Sequence, residues 1–197
     1  MSSVPKGKRE KHDLLATHYL TKLRKEITEL AVNDFGYDKE RLEKKISRFE
    51  EWTNCEDKEE VVARMRAKNE SFYADFVEEE TRETRKILRK AVAEFETGNS
   101  IYPSGEALIE EYKERRLHLD KAVGHLFALK QELQYIADIL PGDKNRYDGF
   151  AEAIKKEISL VRGVRRAANK FLKEDNEKED TNKEATGKEA TGKEEKK

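Results

Sequence analysis

Residues 106–140 read EALIEEYKERRLHLDKAVGHLFALKQELQYIADIL, and this run decides the fold class. Leu108, Tyr112, Leu119, Ala122, Val123, Leu126, Leu129, Leu133, Ile136 and Leu140 recur at helical spacing, so they share one side of a single long helix. Such a stripe is stable only when other helices cover it, because isolated helices draw little stability from propensity alone. Directly after it, Pro141-Gly142-Asp143 forms a tight turn, with Asp143 placed to cap the next helix. That second helix is predicted to about residue 173, through Tyr147, Phe150, Ile154, Ile158, Val161, Ala168, Phe171 and Leu172. So short a connection forces the two helices into an antiparallel hairpin.

Working back from that hairpin, GNSIYPSG at 98–105 reads as a loop. Before it a helix over about 58–97 carries Val62, Met65, Phe72, Phe76, Ile87, Leu88, Ala91 and Phe95 on its face. Its stretch 78–86 is polar all round, which predicts solvent or another subunit there. The first helix, over about 11–33, presents Leu15, Tyr19, Leu23, Ile27 and Leu30 and stops at DFGYD (34–38), with Gly36 as the breaker. A short charged segment, 39–52, has only the narrow stripe Leu42, Ile46, Phe49 and Trp52; TNCED (53–57) then interrupts, with Asn54 or Asp57 as the next cap.

Composition agrees: 42% charged and 36% hydrophobic residues, with ten Gly and three Pro in 197, is the signature of long helices. The expectation is an all-α protein, an antiparallel four-helix bundle over 11–173 with an extra charged helical segment. A flexible N-terminus (1–10) and a disordered C-terminal tail (174–197) flank it. The tail repeats TNKEA, TGKEA and TGKEE from 181, 186 and 191, and after Leu172 it has no apolar side chain larger than Ala. It cannot bury enough surface to offset its ordering entropy. Nine acidic and six basic residues give it −3, leaving +2 on the rest of a chain whose net charge is −1. No apolar run approaches the roughly 20 residues of a membrane span, and no apolar stretch succeeds the basic residues of 1–11. Cys55 is the only cysteine. These features predict a cytoplasmic protein with no membrane partner.

Catalytic and metal signatures are missing. A di-iron bundle needs Glu-x-x-His, but Arg9, Leu15, Arg115 and Ala122 stand three residues before His12, His18, His118 and His125. His118 and His125, two turns apart, read as a polar boundary of the core rather than half a metal site, and one Cys with scattered His cannot close a zinc site. No phosphate loop, nucleophile elbow or paired-carboxylate pattern is present. The prediction is a non-enzymatic protein without metal or cofactor.

The last helix holds a cluster of cations. Lys155, Lys156, Arg162, Arg165, Arg166, Lys170 and Lys173 face a single acid, Glu157. At about 100° per residue, Lys155, Arg162, Arg166 and Lys173 fall within about 20° of one line, roughly 27 Å long at 1.5 Å per residue. Such a stripe can track a nucleic-acid backbone; the alternative is a solvated face that complements the helix dipole. Three charges fall inside apolar arcs instead: Glu157 and Arg165 on the last helix and Arg115 on the one before. The expectation is that some of them face a neighbouring subunit, with snorkelling at the core edge as the alternative.

An ordered series of short segments carries a resemblance: Ile101-Tyr-Pro103, Tyr112-Lys-Glu-Arg-Arg116, Leu129-Lys-Gln-Glu-Leu-Gln-Tyr-Ile136, Ile139-Leu-Pro141, Asn145-Arg-Tyr147, Glu157-Ile158 and Val161-Arg-Gly-Val-Arg-Arg-Ala-Ala-Asn-Lys170. Over these 70 or so residues the chain resembles the accessory variability determinant (Avd) type of four-helix-bundle protein, encoded beside reverse transcriptases of diversity-generating retroelements. Val164 stands where that family has an aromatic residue, and the insertion 39–57 and the tail are extra. The resemblance implies a non-enzymatic subunit of a pentameric barrel that binds a reverse transcriptase and its template RNA and supports mutagenic cDNA synthesis. It carries the binding role to Arg115, Arg116, Arg162, Arg165, Arg166 and Lys170, and makes ring contacts the reason for charge in the apolar arcs. A helical protein–protein adaptor with no nucleic-acid partner is the second reading.

Overall fold

A computed structural model describes residues 11–140 and 144–169, and every regular element among them is helical. The expectations for 1–10, the turn 141–143 and the tail 174–197 lie outside the described residues. Helix α1 (Lys11–Val32) is followed by α2 (Lys39–Trp52), α3 (Lys58–Phe72), α4 (Glu78–Ser100), α5 (Leu108–Ile139) and α6 (Asn145–Ala167). Packing is cyclic: α4 lies on α5, α5 on α6, α6 on α1 and α1 on α4. Each of these four helices buries a stripe that alternates steps of three and four. On α1 it is Ala16, Leu20, Leu23, Ile27 and Leu30; on α5 it runs from Leu108 through Tyr112, Arg115, Leu119, Ala122, Leu126, Leu129 and Leu133 to Ile136. A seven-residue repeat keeps one seam facing inward along the whole length of a helix.

That repeat corrects the face predicted for α1. Leu15 is 38% exposed, and the inward positions are Ala16 and Leu20. Tyr19 sits at the seam with α6, where the Lys156 ammonium lies 4.0 Å from its ring centroid. On α4 the inner row is Thr84, Leu88, Ala91, Phe95 and Gly98, with Val77 preceding it on the same side. The polar stretch 78–86 therefore has an inner side after all: Thr84 is fully buried, and the Thr81 hydroxyl donates to the Ala31 carbonyl of α1 at 3.1 Å.

Helix α4 also continues to Ser100, through residues expected to form a loop. The reason is close packing. A Cβ on Gly98 would come within 3.1 Å of the Arg115 carbonyl oxygen, the His118 Cβ and the Leu119 Cγ, so glycine lets α4 and α5 touch here. At the far end of the hairpin the first turn of α5 meets the end of α6. Leu108, Tyr112 and Ala168 form a small separate core, and the Tyr112 hydroxyl donates to Asn169 Oδ1 at 2.8 Å. The pair therefore runs antiparallel.

The stop after α1 is more than a break. Asp34, Phe35 and Gly36 all adopt positive φ (51°, 54° and 81°). Left-handed backbone is unfavourable for a residue such as Phe, but here it turns the Phe35 ring into the core and its carbonyl toward the Tyr147 hydroxyl, 2.9 Å away.

Helices α2 and α3 pack on one another as an arm. Asp38 caps α2 by accepting from the Arg41 amide at 2.8 Å, and Arg66 of α3 bridges Glu43 and Glu50 of α2 at 2.7 and 3.0 Å. Ile46 and Val62 are buried between them, whereas Trp52, expected on the stripe, is 87% exposed. Asp57 precedes α3 without a side-chain capping bond. A π turn, Tyr73–Val77, joins α3 to α4 without interrupting the rod, its wider bond running from the Glu78 amide to the Tyr73 carbonyl. The extra residue rotates the face presented by α3 relative to that of α4.

Candidate nucleic-acid interface

The outward side of α6 is the positive surface the sequence points to. Along it Lys155, Ile158, Ser159, Arg162, Arg165 and Arg166 line a groove of about 580 Å³, closed by Arg116 of α5 and by Asn169. Five of the eight nominated cations thus meet in one concavity. Two more, Lys170 and Lys173, lie outside the described residues. Over the described residues the stripe runs from Lys155 to Arg166, roughly 17 Å.

Neighbouring side chains set the charge of this groove. The Arg162 guanidinium lies 5.3 Å from the centroid of the half-exposed Phe127 ring, which orients it without neutralising it. Arg116 donates to the Tyr112 hydroxyl at 3.2 Å, and that hydroxyl donates to Asn169. Lys155 meets Glu152 one turn away at 2.5 Å, in a solvated pair of small energetic weight. Arg165 meets Asp120 of α5 at 3.0 Å, a contact that ties the two helices at mid-hairpin. Among the described residues, Arg116, Arg162 and Arg166 meet no carboxylate. The groove is therefore cationic, polar-walled and floored by Ile158, a suitable surface for phosphate oxygens.

The eighth nominated cation, Arg115, is elsewhere. It is buried, and its Nη1 donates to the carbonyls of Gly98, Asn99 and Ile101 at 3.1, 3.4 and 2.7 Å. It closes the C-terminal end of α4, where unpaired carbonyls and the helix dipole favour a cation. The guanidinium is thus turned inward to the end of α4 and is not among the residues that line the groove. Glu157 is likewise internal. It is 1% exposed, neither carboxyl oxygen has a hydrogen-bond partner among the described residues, and burial pushes its pKa up to about 8. At neutral pH it is largely a protonated acid inside the core of the chain. Arg165, the third candidate for a subunit contact, already has Asp120 as a partner.

Other charged groups resolve into local contacts. His118, half-buried, pairs through Nδ1 with Glu94 Oε2 at 2.6 Å, and that bond holds the Glu94 carboxyl below its ordinary range. Glu80 of α4 lies against Glu132 of α5; burial, then the bond between the two carboxyls, raises Glu80 to about 8. Sequence reasoning missed this pair, since both acids sit among exposed ones of the same type. It also missed Ser159 and Asn169, because only charges were weighed, although Ser159 stands one turn from Lys155 and the same wheel places it on the groove. Phe127 gives no signal before the hairpin register is known.

Among the described residues no cluster of His, Cys, Asp and Glu could hold a metal ion, and no helix is long and apolar enough to cross a membrane. No family model, curated protein or solved structure matches this chain.

Proposed function

We propose that this protein is a non-enzymatic accessory subunit that binds a template RNA and a reverse transcriptase, as the Avd-type resemblance implies, and so supports mutagenic cDNA synthesis in the cytoplasm. On this reading the cyclic packing of α1, α4, α5 and α6 is that of an antiparallel four-helix bundle, with the α2–α3 arm added to it. The observation that carries the proposal is the convergence of Arg116, Lys155, Arg162, Arg165 and Arg166 on one groove. The cations come from two helices and three of them meet no carboxylate among the described residues, which favours an anionic ligand over a merely solvated face. Phosphate contacts would hold the RNA, while the exposed faces of the arm and bundle would hold the polymerase and the other copies of a ring.

Substituting Arg162, Arg166 and Lys173 together by Glu abolishes RNA retention and leaves the circular dichroism spectrum unchanged. Retention that survives the triple change removes the groove from the mechanism. The second reading, a protein-only adaptor, draws on the near-zero net charge, which disfavours non-specific binding to polyanions. Titrating salt separates the two. Phosphate contacts produce a steep log–log loss of affinity, each neutralised phosphate adding about 0.7 to the slope for single strands. An adaptor shows no RNA binding at any ionic strength. A ring is tested by native mass.

A further inference from the structure

The described lining of the basic groove reaches Asn169, and after Lys170 and Lys173 the sequence becomes sharply acidic. Between 174 and 180 stand Glu174, Asp175, Glu177, Glu179 and Asp180 against one cation, Lys178, whereas 181–197 holds four acids and five lysines. The net negative charge of the C-terminal segment is thus confined to seven residues that begin five positions after Asn169. Five carboxylates succeed five groove cations in the chain.

We infer that this acidic block docks into the groove of its own chain and competes there with an incoming polyanion. The inference rests on the reading of the groove as a site for polyanions and adds the regulation of that site. Reach permits it. Asp180 lies eleven positions after Asn169, up to about 37 Å of extended chain, whereas the line from Lys155 to Arg166 is roughly 17 Å long. Folding back from Asn169 therefore leaves slack. Proximity favours it too. A segment tethered this close is present at an effective concentration on the order of millimolar, so carboxylate–guanidinium contacts too weak to hold a free peptide suffice. The carboxylates would find Arg162 and Arg166 with no acidic neighbour among the described residues. Backbone phosphates carry the same charge at similar spacing but many more of them, so a long RNA displaces the block and a short anion does not.

The test uses the full chain, with Glu174→Gln, Asp175→Asn, Glu177→Gln, Glu179→Gln and Asp180→Asn combined. Two readouts are taken: the Nε–Hε resonances of Arg162 and Arg166, and the anisotropy of a labelled oligouridylate of about 20 nucleotides, long enough to span the groove. Neutralising the block is expected to move both arginine resonances at low salt, independently of protein concentration, and to tighten oligouridylate binding roughly three- to tenfold. Both effects fade when the Debye length is cut to a few ångströms by added salt. Adding Arg162→Gln and Arg166→Gln makes the block's charge irrelevant. Arginine resonances that ignore the neutralisation overturn the inference, whatever the RNA does, and a shift that grows with protein concentration overturns it in favour of docking between copies. Shifted resonances with no oligouridylate binding by either chain support the internal contact and sink the RNA reading instead.

Discussion

Glu157 is the residue whose chemistry is most open to test. Its folded pKa, about 8, lies above the ordinary 4.5, so the folded state holds this proton more tightly than the unfolded one. The associated stability is fully present below pH 4.5 and drains away as pH rises toward 8. Glu157→Gln removes that dependence. It leaves chemical-denaturation midpoints near pH 4.5 unchanged and stabilises the protein by about 2–3 kcal/mol at pH 7; equal stability of the two proteins at both pH values refutes the buried-acid account. Arg115 supplies a converse case. Its removal as Arg115→Ala strips a donor from three carbonyls and costs about 2–4 kcal/mol in urea unfolding, with no loss of RNA binding if the groove alone makes those contacts. Two glycines make a matched pair. Gly98→Ala sets a methyl 3.1 Å from α5 backbone and side-chain atoms and loses about 1–2 kcal/mol, whereas Gly124→Ala opens on free space and gains about 0.5–1 kcal/mol in thermal unfolding.

The α2–α3 arm meets the body of the molecule at one aromatic joint. Phe72 and Phe76 stack at 5.2 Å between centroids, Tyr37 packs on Phe72 at 5.7 Å and on Tyr73 at 5.9 Å, and Tyr135 of α5 closes on Phe76 at 5.8 Å. Two hydroxyls lock it, Tyr37 donating to Asn69 and Tyr73 donating to Asp34 at 2.9 Å. The π turn lies inside this joint, which explains its place: an added residue lets Phe72, Tyr73 and Phe76 point at the same neighbours. Each hydroxyl contributes about 1 kcal/mol. Tyr37→Phe with Tyr73→Phe therefore speeds amide exchange in α2 roughly fivefold or more, while α5 exchanges as before. Acceleration spread evenly over all helices would show that arm and body unfold as one unit.

For the molecule as a whole, charge is arranged by position more than by amount. A chain with net charge −1 keeps a cationic groove because acids and bases are segregated, with Asp120 and Glu152 held at the groove's edges and five further acids placed between 174 and 180. Affinity for polyanions should consequently fall steeply with salt even though the protein is almost neutral. A flat salt profile across about 50–300 mM, with RNA bound, points to contacts other than phosphate.

Helix order and most of the inward faces were legible in sequence, because a three–four spacing of apolar residues repeats over many turns and each turn adds independent evidence. The α5 stripe, and the presence of Arg115 and Glu157 within apolar arcs, follow from angle alone. Angle also nominated residues of α6 that the groove brings together. Sequence could not tell that Arg115 closes α4 whereas Arg116, the next residue, opens onto the groove; that depends on where the end of α4 lies relative to α5. Nor could it place Phe127 under Arg162, pair Arg165 with Asp120, or carry α4 through Gly98, since each needs the distance between two helices rather than the phase of one. Periodicity reports which way a side chain points from its own axis, and only packing decides what it finds there.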